Sequence, residues 1–468
     1  RLDRGFTKGY NNGNANYNSF EVTYTFTIND DPMFLGTENT DWNNVDNWSI
    51  CRLPNENDIV TIKAPVELVT HEKVKGMKFA ENGKMHIAHN AGMTIGSHGL
   101  ELTTNGLITI DNTPDGAGFL KVDPSATNKP SANVTINYTT AAYNSGNPRD
   151  EIWQYMGAPG TGMDIVADED KTLIYHWSEV KGWEKQTNEE LTPFAGYVFT
   201  QNKDKTKASF EITATPIIDD EIRIINLTCT PYGMRGGNVF ANSYLAPIDV
   251  ANIDPENDLD GVEGTFYLFN SGSWNQWQNE GGKDHMNYGV SPGQYYALSP
   301  KGASLMDKEY DQTTIPPMQG VYVVALNNEA KIKLNYKKHV YSPESDNTAM
   351  RAPEMRDENF KRVRLQVNSQ NSGADRMYVI QHEDATKSYD YGYDAKNIAA
   401  EDQVNIYTSE QGGQMEISVS NRIDSTYIGF QAGSDSEYRL RITSVVGEKL
   451  LLKDLETETV VAVEDEVE

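Results

Sequence analysis

The chain has few of the features that mark membrane proteins, disulfide scaffolds and most enzymes. Of its 468 residues only Cys51 and Cys229 are cysteine, which excludes a disulfide-dense framework and a multi-cysteine zinc site. The redox state of that pair stays open. Basic residues are scarce: 40 Lys and Arg stand against 68 Asp and Glu, a formal charge of −28. Such a chain repels a phosphate backbone, so nucleic acid is excluded as a partner, and anionic membrane surfaces are disfavoured for the same reason. The negative charge itself reports solubility before it reports any partner. No apolar run approaches the ~18–20 residues of a membrane span, so the sequence holds no transmembrane segment. Helical stripes with a 3.6-residue period are missing almost everywhere. Also absent are the Gly-x-Ser-x-Gly elbow, His-Glu-x-x-His, the P-loop and Gly-x-Gly-x-x-Gly, which makes the reading non-enzymatic. An acid pair assembled from distant strands stays open in a chain so rich in carboxylates. The first residue is Arg1 and no charged-then-apolar leader follows. That reads as a processed or recombinant segment whose targeting signal lies upstream.

What is present favours strands and turns. The 25 Tyr, 7 Trp and many Thr suit pleated strands, and 37 Gly with abundant Asn suit the turns between them. The fold class is all-β, and the length implies two to four domains. Residues 1–19 are a Gly/Asn-rich loop. Phe20, Val22, Tyr24, Phe26 and Ile28 then alternate with polar residues, the period of a half-buried strand. Beyond Asp41 come short apolar clusters separated by turn residues, and from Phe79 to Ile110 they recur about every eight residues (79, 87, 95, 102, 110). A parallel β-helix stacks short strands at such intervals, and an antiparallel meander gives similar spacing. The solenoid is preferred.

Further along, Thr192-Pro193-Phe194-Ala195-Gly196-Tyr197-Val198 has an echo in Pro316-Pro317-Met318-Gln319-Gly320-Val321-Tyr322. In both, Pro fixes φ, Gly follows three residues later, and a β-branched and aromatic strand begins. The echo predicts a duplicated module. Its first copy is anchored at Gly157-Ala158-Pro159 and its second at Cys229-Thr230-Pro231-Tyr232-Gly233. The expected organisation is therefore an N-terminal loop and lead-in strand (1–36), a β-solenoid-like domain (37–132), a duplicated β-sandwich module (133–345), a linker (346–360) and a C-terminal immunoglobulin-like β-sandwich (361–468).

Four groups of residues are weighed as candidate sites. Asp254, Glu256, Asp258, Asp260 and Glu263 crowd hard oxygen ligands around one turn, the chemistry calcium uses. The spacing departs from the EF-hand loop: Leu259 occupies its Gly position, counted from Asp254. A solvated acidic loop is the plainer reading; no cofactor is required, and calcium is the one considered. Trp274, Trp277, Tyr295 and Tyr296 could present a sugar-stacking face, although rings at strand spacing usually fill a sandwich core. His71, His86, His89 and His98 fall in the solenoid region, but His86-x-x-His89 offers at most two ligands to a metal that needs three or four. Asp164 with 168–170 is a weaker acidic cluster.

Three stretches resemble parts of the large secreted, modular surface proteins of the Bacteroidetes. Asp41-Trp42-Asn43-Asn44-Val45-Asp46-Asn47-Trp48-Ser49 with Arg52-Leu53-Pro54-Asn55-Glu56-Asn57-Asp58-Ile59-Val60-Thr61-Ile62 is similar to their lead-in to β-solenoid segments. Ile315 to Val323 resembles their recurring Pro-Met-Gln-Gly strand. Asp375-Arg376-Met377-Tyr378-Val379, with Asp384-Ala385-Thr386 and Asp390-Tyr391-Gly392-Tyr393-Asp394-Ala395-Lys396, resembles a segment near their C-terminal ends. The resemblance implies an extracellular or outer-surface adhesin-like protein that contacts an extracellular protein or glycan surface. It carries no catalytic residues. Asp424-Ser425-Thr426 resembles the O-glycan acceptor pattern of such bacteria, which makes Ser425 a glycosylation candidate. The expected function is non-catalytic adhesion or matrix and host-surface interaction. The alternatives are a carbohydrate-binding accessory module of a polysaccharide-degrading system, and a β-helix lyase or hydrolase.

Overall fold

A computed structural model describes residues 31–140, 153–163, 172–186, 190–201, 208–271, 293–306, 312–341, 361–369, 373–399, 403–410, 413–445 and 450–463. The expected strand at 20–28, the aromatic hairpin at 273–279, the acidic cluster at 164–170 and the linker at 346–360 lie outside the described residues. Strand makes up 49% and helix 4%, so the fold is all-β, as the composition implies.

The N-terminal part is two facing sheets. Met33–Phe34, Ile59–Ile62, His71–Phe79, Gly92–Glu101 and Phe119–Val122 form one, and every neighbouring pair in it is parallel. Pro65–Leu68, Lys84–Ile87, Ile108–Thr113 and Val134–Thr140 form the other, again parallel, with Ala208–Ala214 added antiparallel at its edge. From Ile59 onward the main strands alternate between the sheets in chain order, which accounts for the eight-residue beat of apolar clusters. In parallel stacking, equivalent positions fall into columns. Val60, Met77 and Leu100 make one, Val74, Ile95 and Val122 another, and Leu68, Ile87, Ile110 and Ile136 a third. All ten side chains are buried between the sheets.

Open sheet ends would expose this core, and the Trp-rich stretch covers one of them. Trp42 is fully buried and Trp48 nearly so; their rings meet edge to face at 4.7 Å, and the Trp48 indole donates to the Trp42 carbonyl at 2.8 Å. Buried Asn47 ties the turn from both ends of its amide. Its oxygen accepts the N–H groups of Glu38 and Asn39, and its nitrogen donates to Asn39 and to the Asp41 carbonyl. Arg52 then grips Asp58 with two bonds at 2.6 and 2.8 Å, and Asn55 N–H adds a third, fixing the loop that feeds the first long strand. Those bonds hold the Asp58 carboxyl below its usual range.

Two four-stranded antiparallel sheets follow. The first runs Gln154–Met156, Tyr197–Gln201, Thr172–Ser178, Gly182–Lys185, and the second Gly237–Ala241, Gly320–Val324, Phe266–Phe269, Tyr295–Leu298. Numbered by position in the chain, both read first, last, second, third. The strand that holds in the second sheet the place of Gln154–Met156 is Gly237–Ala241, past the expected anchor at Cys229–Gly233.

The C-terminal sheet has seven strands, in the order Ile428–Gln431, Asn405–Glu410, Gly413–Ser420, Ala374–Gln381, Lys361–Ser369 and Tyr438–Val445, with Ala395–Lys396 beside Gly413–Ser420. It is mixed, because Ala374–Gln381 and Gly413–Ser420 run parallel. Alternation gives it two apolar faces. Tyr378, Ile380, Ile417 and Val419 join the core of the second four-stranded sheet. Val363, Leu365, Met377 and Val379 face the other way, toward the hairpin of Leu450–Lys453 and Val460–Val463.

Candidate functional site

The described aromatic candidates, Tyr295 and Tyr296, sit where the two four-stranded sheets meet the rest of the chain. Tyr155 from the first and Tyr295 from the second share a hydroxyl–hydroxyl bond of 2.6 Å. The Tyr155 ring also stands edge to face with Trp183, 5.5 Å away, and Trp183 does the same with Trp177 at 4.9 Å. Phe269 packs on Tyr295 at 5.1 Å, and Trp177 donates its indole N–H to the Gly237 carbonyl. Burial pushes the Tyr155 hydroxyl well above its ordinary range and raises that of Tyr295 too, so both stay protonated donors and acceptors. Tyr296, the next residue on the strand, points to the opposite face, where the Arg376 guanidinium lies 5.8 Å from its ring. Both tyrosines are half-buried wedges between elements. Trp274 and Trp277 lie outside the described residues, so no common face of the four is drawn.

The five acidic candidates are distributed over separate partners. Asp254 accepts the Glu256 N–H and the Asn257 amide. Asp258 takes the Asp254 N–H, the Lys338 ammonium at 2.9 Å and His339 at 3.0 Å. Asp260 pairs with Lys331 at 3.3 Å and Glu256 with Lys301 at 3.4 Å. Glu263 receives the Tyr267 hydroxyl and the Lys396 ammonium, at 2.8 and 2.7 Å. Calcium needs six to eight oxygens aimed at one point. Among the described residues no group of three or more His, Cys, Asp or Glu is placed to hold a metal ion. The histidines are spread likewise: His71 reaches the Asn90 carbonyl, His86 lies against Asp111, and His98 against Glu101.

What the acidic loop holds is the C-terminal part of the chain. Lys396 comes from there, and the Tyr391 hydroxyl donates to the Val262 carbonyl at 2.9 Å. Gly392, at φ +80°, lies so close to Pro255 that a Cβ would sit 2.5 Å from its ring. Its carbonyl accepts the Lys301 N–H, and the Tyr393 carbonyl accepts the Ser299 hydroxyl. Deeper in the same seam Arg376 and Glu416, 1% and 2% exposed, pair at 2.6 Å, and Glu416 also accepts the Ala297 N–H across the junction. Asp394 accepts the N–H groups of Asp390 and Val419. The stretch Asp375–Val379 and the stretch 390–396 are therefore a docking seam. Arg and Glu placed inside otherwise apolar strands were the sequence signal for the buried pair, though not for their being partners.

Ser425 is exposed in the loop between Gly413–Ser420 and Ile428–Gln431, beside an Asp424 paired with Arg422. Cys51 and Cys229 are both free thiols. Among the described residues no helix is long and apolar enough to cross a membrane.

No solved structure matches the chain. It is 24% identical over 450 residues to the minor fimbrium subunit Mfa5 of Porphyromonas gingivalis, a distant relative; the alignment takes in 86% of this chain and 35% of that protein. The chain thus spans about a third of the relative's length. The family model that matches, described as a domain of unknown function (DUF8693), covers residues 33–466, and the chain belongs to that family.

Proposed function

We propose that the chain is a non-catalytic, secreted or outer-surface β protein that serves adhesion, in contact with an extracellular protein, matrix or host surface. The observation that carries this reading is the likeness, along 86% of the chain, to a protein named as a minor fimbrium subunit. The side-chain chemistry agrees with it. The carboxylates of the acidic loop and the described aromatics of the cluster are engaged in internal contacts, as expected of a scaffold that presents a surface.

The architecture we propose is a β-solenoid over 37–132, a duplicated module over 133–345 and an immunoglobulin-like sandwich over 361–468. Strands that alternate between two parallel sheets support the first. The shared strand order supports the second, and so does a reciprocal lock between its halves. Ala195 N–H returns to Thr192 O and Gln319 N–H to Pro316 O, and the residue after each Pro is left-handed, Phe194 at φ 63° and Met318 at φ 65°. Such turns usually place Gly there. Gly157 N–H donates to Met318 O while Ala241 N–H donates to Phe194 O, so each half binds the other's turn. For the sandwich the support is the hairpin of Leu450–Lys453 and Val460–Val463 against the far face of the C-terminal sheet.

Attachment of the producing cells to coated surfaces tests the function. Cells lacking the protein should attach several-fold less, and added purified chain should compete with intact cells for the surface. Unchanged attachment in both arms would refute an adhesive role.

A further inference from the structure

Two exposed features take no part in the seams described above. The first is the loop between Arg223–Asn226 and Gly237–Ala241. Its base is clamped by Glu179, a buried carboxylate from the other half of the module. Glu179 accepts the Thr230 N–H at 3.2 Å, the Thr230 hydroxyl at 2.7 Å and the Gly236 N–H at 3.0 Å, and its own carbonyl accepts the Met234 N–H at 2.7 Å. Arg235 and Gly236 are left-handed, at φ 53° and 86°, which turns the loop sharply. On this fixed base Tyr232 stands 97% exposed, Met234 45% and neighbouring Val180 54%, and Arg235 is exposed beside them. Tyr, Met and Arg are the residues enriched in interface cores, and a loop ordered in advance loses little entropy on binding.

The second feature is the hairpin of Leu450–Lys453 and Val460–Val463. Leu450 and Leu452 turn inward to the C-terminal sheet, while Leu451 is 67% exposed, Leu455 65% and Val460 53%. Among the described residues the hairpin pairs with no third strand. Its connecting turn carries Asp454, Glu456 and Glu458, all exposed.

We propose that the Tyr232 loop of one copy docks on the outward face of the 450–463 hairpin of a second copy. The two surfaces match in kind. Apolar side chains meet apolar side chains, and exposed Arg235 meets the acidic rim of the hairpin. Because the patches differ, the contact is heterologous, and repeating it adds further copies in a ring or an open line where a self-complementary patch would stop at a dimer. The contact is a property of the purified chain and stands whether or not the chain serves adhesion.

Sedimentation of the full chain over a micromolar to sub-millimolar series tests this, with Tyr232→Ser, Leu451→Glu and Arg235→Glu. The first two positions are exposed, and matching thermal melts confirm that the variants fold. The wild type should grow past dimer as concentration rises. Tyr232→Ser and Leu451→Glu should each remain monomeric alone. Mixed in equal amounts they should stop at dimer, one intact loop on one intact hairpin. Arg235→Glu should weaken association at least tenfold in low salt. A wild type that stays monomeric or halts at dimer would overturn the proposal. So would either of the first two variants associating like the wild type, a mixture that stays monomeric, or an Arg235→Glu protein with undiminished association.

Discussion

His339 has no exposed surface, accepts the Asn335 N–H on Nδ1 at 3.0 Å and meets Asp258 through Nε2 at 3.0 Å. An accepting Nδ1 makes the neutral ring an Nε2–H donor to that carboxylate. Burial lowers its pKa to about 4, against the opposing pull of Asp258. A folded value below the unfolded one means that the contribution is complete above pH about 6.5 and is lost as pH falls from there through about 4. The loss is on the order of 3 kcal/mol, taking 1.36 kcal/mol per unit. His339→Gln should melt lower at pH 7 and show a flatter decline between pH 6.5 and 4. Parallel declines in a pH series of thermal melts would show that His339 does not carry this dependence. Nothing around Tyr336–His339 marked it in advance, since a single buried histidine leaves no periodic trace. Asn47 differs in that it lies in the Asp/Asn/Trp stretch that the sequence singled out by resemblance, and its amide proves to be the hub of that turn.

At the scale of elements, the strands were legible because alternation and turn chemistry are local. Their partners were not. Clusters every eight residues fit a solenoid or a meander, since the spacing carries no record of which sheet a strand enters. The Pro–Gly turns were legible as a pair, yet nothing local marked Gly237–Ala241 as the counterpart of Gln154–Met156, because it is identified only by its long-range pairing with Gly320–Val324. The glycines of these turns now have distinct reasons. A Cβ on Gly196 would lie 2.6 Å from the Val239 carbonyl oxygen, whereas on Gly320 it would meet Tyr155 and Met156 at 3.1 Å. Gly196→Ala should therefore cost about 1–3 kcal/mol, and Gly320→Ala less. Urea unfolding decides the order, and equal costs would contradict the packing argument. The acidic loop yields a second expectation. With Asp258 held by Lys338 and His339 and Glu263 by Lys396, millimolar calcium should leave the melting midpoint where chelator leaves it. A rise of several degrees would restore the cation site.

For the whole molecule, the charged residues that composition assigned to the surface include a buried pair that joins two parts of the chain. Arg376 and Glu416 pair on neighbouring strands of the C-terminal sheet, and Glu416 reaches across the seam to the second four-stranded sheet through the Ala297 N–H. Removing one partner takes away part of what compensates a buried charge, at up to about 3–5 kcal/mol. Glu416→Gln should make the C-terminal sheet markedly more protease-sensitive, read by cleavage rates and fragment masses; unchanged rates would mean that the sheet is held otherwise. Neither residue was singled out as buried in the sequence, and only the fold brings them together. The proposed surface role of the whole is tested most directly by immunogold microscopy of intact producing cells with antibody to this chain. Gold should decorate the outside of unpermeabilised cells and any filaments they carry. Label that appears only after permeabilisation would contradict the account.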